Sequence, residues 1–295
     1  MPRPFRTLLP LAAVLLFAGP AAARQATPDS PAVAPAVPAA PVSPTLPAGL
    51  AAIAHEGEKP AAKELFARHV EAIGGAEAWK DKTSMSSTGS MELPAMGMKG
   101  SMRMAVKMPD RFLVTMDLPG IGATRSGCDG TVGWSIDPMR GPSLLDATSL
   151  ADVRRDANFL RDLELLADPG ESETLALVEF DGRPSWAIRL DPRHGGGILL
   201  FDRENGLMSG AMRTMATPMG EIPATVSIGE YREFGPVKLA TRTTVKVMGQ
   251  QQVVRVDSVT WDEIDEATFA LPDEIKALAK PAADPAKPAA PDATP

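Results

Sequence analysis

MGMKGSMRMAVKMPDRFLVTMDL, residues 96–118, puts almost every large apolar side chain on an even position: Met96, Met98, Met102, Met104, Val106, Met108, Phe112, Val114, Met116 and Leu118. The odd positions carry Lys99, Ser101, Arg103, Lys107, Arg111, Thr115 and Asp117, with Leu113 the main exception. A two-residue period is the signature of strands with one oily and one wet face. The turn at Pro109, Asp110 and Arg111 keeps even positions opposite even positions, so the two halves pair as a hairpin. The oily face is rich in thioethers, which are flexible and polarizable where a sheet core ordinarily prefers Val and Ile. Such a wall can adapt to an irregular guest.

Outward from this hairpin the pattern stays mostly β. Residues 84–93 read as a strand, and before them Leu65, Phe66, His69, Val70 and Ile73 recur at helical spacing until Gly74 and Gly75 stop the helix, with Trp79 just beyond. Residues 121–128 and 131–137 form a second candidate hairpin around Asp129 and Gly130, with Val132, Trp134 and Ile136 alternating inward. A helix is predicted over 149–167: Leu150, Val153, Ala157, Leu160, Leu163 and Leu166 mark one face, Arg154, Arg155, Asp156 and Arg161 the other, and Ser149 with Asp152 gives a capping signal. The two-residue period then returns through 174–180, 186–190, 198–201, 208–214, 222–234, 239–248 and 253–261. About eleven strands and two or three helices make a mainly β chain with helices (α+β), a strongly curved antiparallel sheet with its helices over one face.

The ends of the chain are of another kind. Arg3 and Arg6 precede an apolar run over 8–18, short for a membrane span, and Ala21, Ala22 and Ala23 follow it. This is the pattern of a secretory signal cut after Ala23, which predicts a periplasmic or secreted protein. Residues 24–60 are dominated by Pro and Ala and read as a disordered linker, and 276–295 as a disordered tail, leaving one domain over 61–275. Cys128 is the only cysteine in the chain, so neither an internal disulfide nor a cysteine zinc site can form. The net charge of −7 becomes about −9 once Arg3 and Arg6 are removed. Nucleic acid is thereby disfavoured as an electrostatic partner, and so are anionic membrane surfaces.

The chain resembles the family of exported proteins that share the fold of the lipoprotein carrier LolA, its receptor LolB and the sensor RseB. The features that carry the resemblance are Ile73, Gly74, Gly75 and Trp79, then Asp129, Gly130 and Trp134, then Leu200, Phe201, Asp202, Asn205, Gly206 and Leu207. Tyr231, Arg232, Gly235, Val237 and Lys238 continue it, and Phe269 and Pro272 end it. The resemblance implies an unclosed β-barrel with helices over its mouth, an apolar cavity for acyl chains, and binding rather than catalysis. Arg125 is the nearest candidate, by strand position, for the arginine with which the carrier controls its lid.

Three readings of the methionine face stay open: an ordinary core in a protein poor in aromatics, a cavity wall, and a Cu(I) site. As a wall for a lipid or acylated lipoprotein it would comprise Met96, Met98, Met102, Met104, Val106, Met108, Phe112, Val114, Met116 and Trp134, with helix 149–167 as part of the cover. As a soft-ligand site it would use Met96, Met98, Met102, Met104 and Met108. His69 reads as a packed core residue, His194 as a solvated loop residue and Cys128 as an idle thiol; Asp257, Asp262, Glu263 and Asp265 read as a solvated edge. No paired carboxylates, metalloprotease helix or nucleophile elbow is evident, so no catalytic residues and no cofactor are expected. The leading expectation is a monomeric, non-enzymatic exported carrier or binding protein, with an envelope protein as a further partner. The alternatives are a periplasmic Cu(I)-binding module and a structural or sensory envelope module with a filled core.

Overall fold

The computed structural model describes residues 46–279 except 48, 157, 218 and 219; the predicted leader, most of the predicted linker and the predicted tail beyond Ala279 lie outside the described residues. Thirteen strands make one sheet: β1 (Ser84–Leu93), β2 (Met98–Lys107), β3 (Arg111–Leu118), β4 (Gly122–Asp129), β5 (Gly133–Asp137), β6 (Gly141–Leu144), β7 (Glu173–Phe180), β8 (Arg183–Arg189), β9 (Ile198–Asp202), β10 (Met208–Thr217), β11 (Gly220–Phe234), β12 (Val237–Val247) and β13 (Gln250–Trp261). In space the order is β6-β5-β4-β3-β2-β1-β13-β12-β11-β10-β9-β8-β7, with antiparallel pairing throughout. The chain therefore steps outward from β1 to one edge, crosses to the other edge, and steps back until β13 pairs with β1. β6 and β7 do not pair, so the sheet stays open.

The crossing from β6 to β7 is made by α3 (Ala147–Asp156) and α4 (Arg161–Ala167), while α1 (Ala62–Ala72) and α2 (Ala76–Trp79) precede the sheet and α5 (Asp273–Ala279) follows it. The methionine hairpin forms as its periodicity predicts, with Met102 opposite Met116, Met104 opposite Val114 and Val106 opposite Phe112. Together with Met85 and Met91 of β1 these residues form one buried cluster that also takes in Leu65 and Phe66 of α1, Ile73 at its C-cap and Leu165 of α4. The even face of β2 and β3 is thus the inner, helix-covered face. Each fully buried side chain of this size contributes about 1.5–3 kcal/mol.

Two glycines set close approaches. A Cβ on Gly89 would stand 1.9 Å from the Arg255 carbonyl, at the bulge where β1 shifts register on β13. Gly74, at φ +117°, ends α1 against the β11–β12 turn, where a Cβ would lie 2.3 Å from the Pro236 carbonyl. The Lys238 N–H donates to the Ile73 carbonyl there at 3.0 Å, docking the helix end to the sheet.

The structure differs from the sequence-based expectation in strand number, in the helix over 149–167 and at both domain boundaries, where residues 276–279 of the predicted tail belong to α5. There are thirteen strands rather than about eleven; β6, with Pro142 among its four residues, carries no alternation by which to find it. The helix expected over 149–167 is two helices. Asn158 breaks it, because its side-chain oxygen accepts from the Leu160 N–H at 3.0 Å and its amide donates to Glu164 at 2.6 Å, local bonds that compete with the helical ladder. Finally, the end of the predicted linker is laid on the domain. Leu46 and Leu50 pack on an outer-face cluster of Val178, Phe180, Ala187, Ile198 and Leu200; Ala52 then bridges Val178 at the β7 edge, and Ile53 joins the inner cluster. An otherwise open strand edge is covered in this way.

Candidate functional site

The candidate site is the strap formed by α3, the break and α4, which runs over the inner face between the two free sheet edges. Its side chains do two jobs. Leu150, Val153, Leu160, Leu163 and Leu166 pack on the inner cluster, and the break turns Phe159 inward to 6% exposure. Phe159 lies against Trp261 (centroids 5.9 Å apart, planes at 65°) and Trp79 (6.5 Å), and the two tryptophans meet edge to face at 5.8 Å. Polar links pin the strap at intervals. Arg154 donates to the Gly130 carbonyl in the β4–β5 turn, Arg161 donates to the His194 carbonyl at 2.7 Å, and Asp162 stands 3.5 Å from His69 Nε2 of α1. The helix N-cap is Asp146, whose carboxylate accepts from the Ser149 N–H at 2.7 Å, rather than Ser149.

Beside the break lies a cleft of about 50 Å³, lined by His69, Ile73, Trp79, Phe159, Asp162, Met208, Tyr231 and Lys238 among others. His69 Nδ1 and Trp79 Nε1 are buried and have no hydrogen-bond partner among the described residues. Tyr231 donates to the Met208 carbonyl at 2.9 Å, and burial, reinforced by the nearby Asp162 carboxylate, pushes its phenol far above the ordinary range. Its hydroxyl is a fixed proton donor. A cleft of this size holds roughly two water molecules, well short of the roughly 300–1,000 Å³ typical of ligand pockets.

The predicted wall residues divide into several groups. Met102, Met104, Val106, Phe112, Val114 and Met116 are all buried in the inner cluster under the helices. Met98 and Met108 are half-buried at strand ends, and Met96 is 61% exposed on the turn Pro94–Met96. The five methionines of the copper reading therefore share no single accessible face. Trp134 needs correction. It stands opposite Gly127, which stands opposite Leu113, so Trp134 lies on the outer face. The alternation of Val132, Trp134 and Ile136 predicts an inward Trp134, but the pairing of Cys128 with Gly133 sets the opposite parity.

Arg125 goes with it. Its guanidinium lies 5.6 Å from the Trp134 ring on that outer face, away from the strap. The buried arginine of the cover is Arg161, on the helix itself, and only its place beside an apolar stripe could have marked it in sequence. Phe159 was missed because helical spacing over 149–167 leaves it off the predicted face. Of the acidic cluster, Asp262 accepts from the Thr83 and Ser84 N–H groups at 2.8 and 3.1 Å, and Asp265 caps the turn Glu266–Phe269. His69 is a core residue as expected. Cys128 is buried, and its sulfur accepts from the Gly130 N–H. Among the described residues no group of three or more His, Cys, Asp or Glu gathers to hold a metal ion.

With this geometry in place, comparison with solved structures shows likeness of fold. The chain is similar to a LolA superfamily protein from Nitrosomonas europaea, 14% identical, TM-score 0.47, over 72% of this chain and 99% of that one. It is similar to a DUF1329 family protein from Desulfovibrio piger, 12% identical, TM-score 0.49, over 70% and 96%. A domain from Vibrio parahaemolyticus described as an outer membrane lipoprotein-sorting protein domain is 12% identical, TM-score 0.46, over 70% and 95%. No family model and no curated protein matches the chain.

Proposed function

We propose that this is an exported, non-enzymatic carrier or binding module that admits a lipid or lipoprotein acyl chain between the inner sheet face and the strap when the strap lifts. The observation that carries this reading is the pairing of a thioether-rich inner face with a two-part cover made of short helices and pinned at a few points. Met85, Met91, Met102, Met104 and Met116 can repack around a flexible chain more cheaply than branched side chains can. The donor of Trp79 and the second ring nitrogen of His69, both without partners and both on residues lining the cleft, suit the polar end of such a ligand. An envelope protein that supplies or takes up the acyl group belongs to the same reading.

The test is native mass spectrometry of the protein isolated from its own envelope, together with titration of a fluorescent fatty-acid probe. Co-purified lipid or saturable probe binding supports the carrier. Absence of both removes it. The volume of the cleft, about 50 Å³, favours a second reading, a structural or sensory module whose interior stays filled and which acts through its surface. In that case the probe does not bind and the inner cluster behaves as an ordinary core.

A further inference from the structure

The turns at the two ends of the sheet differ in chemistry. At one end lie the β12–β13, β1–β2, β3–β4 and β5–β6 turns, brought together by the pairing of Glu92 with Val253, Ser101 with Asp117 and Arg125 with Ile136. Each carries an exposed apolar side chain at its tip: Met248 at 66%, Met96 at 61%, Ile121 at 36% and Met139 at 86% exposure. These are four of the six large apolar residues that are exposed among the described residues. At the opposite end the turns carry charged side chains of both signs instead, Asp110, Asp181, Arg203, Glu204 and Glu263.

We propose that the apolar tips form a docking edge for the surface of an anionic lipid bilayer. Neighbouring tips are two strands apart, so at about 4.8 Å per strand the four span roughly 29 Å. This is a row of single side chains rather than a contiguous patch. Such a fringe matches a fluid interface, into which each side chain can dip separately, better than the packed core of a protein interface. Charge points the same way. Arg140 follows Met139, Lys246 lies two residues before Met248, and neither has an ion-pair partner among the described residues, so both can meet phosphate headgroups. The chain as a whole is negative, so this attraction is local to the edge.

The turns are also rigid enough to hold the tips outward. Asp137 accepts from the Met139 and Arg140 N–H groups at 2.8 and 3.0 Å, and Gly97, Gly141 and Gly249 take the positive φ their turns require. Docking needs no opening of the strap, so the inference stands apart from the carrier reading.

The experiment is co-sedimentation of the purified protein with vesicles of phosphatidylethanolamine and phosphatidylglycerol. The wild type is compared with Met96→Ser/Met139→Ser/Met248→Ser and with Arg140→Glu/Lys246→Glu, all sharing one N-terminus. Wild-type binding is expected to fall at least tenfold in the triple variant and several-fold in the charge variant, with both melting temperatures within a degree or two of wild type. A wild type that stays in the supernatant overturns the inference, as does a triple variant that sediments like the wild type. Fatty-acid probe binding, measured alongside, is expected to be unchanged in the charge variant, so failure of docking and failure of the carrier reading are read separately.

Discussion

Replacing Phe159 by Ala should release the strap without unfolding the sheet. Truncating a buried Phe costs about 3–5 kcal/mol. Its contacts with Trp79 and Trp261, at 6.5 and 5.9 Å, supply part of this, about 0.5–1.5 kcal/mol for each pair. The loss falls on the strap's own opening equilibrium, because the rest of its hold is local to it: Leu165, a partly buried leucine stripe, and links that include those from Arg154, Arg161 and Asp162. At about 1.4 kcal/mol per decade, a cost of about 3 kcal/mol is roughly a hundredfold. Hydrogen exchange followed by mass spectrometry should therefore show amides of α3 and α4 exchanging about a hundredfold faster, with amides of β2, β3 and β12 unchanged. If the carrier reading holds, apparent affinity for a fatty-acid probe rises in the same variant, since the competent open state is more populated. Equal acceleration across the sheet would refute the reasoning by showing that Phe159 belongs to the global core, and so would no acceleration in the strap.

Gly74→Ala combines a positive φ with a 2.3 Å clash against backbone, so it should cost more than the roughly 1 kcal/mol of a simple glycine effect; a melting temperature equal to wild type counts against the docking described for α1. Burial raises the Asp191 carboxyl, but the Glu171 and Arg193 N–H groups and the Arg193 guanidinium outweigh it and hold it at about 2, below the usual 3.8. A folded value below the unfolded one stabilises the fold above about pH 4, a contribution lost as the pH falls toward 2. Asp191→Asn should flatten that part of the acid unfolding curve, and a curve identical to wild type would contradict the assignment. Met102→Leu with Met104→Leu, which conserves volume, should change stability by less than about 1.5 kcal/mol in urea unfolding while weakening probe binding; unchanged binding would mean that the thioethers serve only as core.

The hairpin at 98–118 was legible because a period of two, held across a turn of fixed parity, leaves a single register that buries the even face. α1 and its glycine stop were legible for similar reasons. Trp134 was not, because its facing depends on how β5 aligns with β4 through the turn after Gly130, and a shift of one residue there inverts every side chain on the strand. The break at Asn158 was hidden because Leu160, Leu163 and Leu166 continue the apolar spacing through it. Residues 46–53 were assigned to the linker by their Pro and Ala content. Leu46, Leu50 and Ile53 are few, yet the exposed edge of β7 and the apolar outer face beside it give them something to cover. Of the candidate site, the apolar inner face of the hairpin and the presence of helices after β6 were legible, while the pins of the strap depend on contacts between distant parts of the chain.

The pairing of the first strand with the last also sets the order in which the molecule can be made. Thr83 and Asp262, which clasp the β1–β13 junction, are 179 residues apart. At synthesis rates of about 5–20 residues per second, β1 emerges roughly 10–35 s before its second neighbour exists. During that interval the edge of β1 that β13 later covers lacks its partner, and the sheet cannot be completed from either half alone.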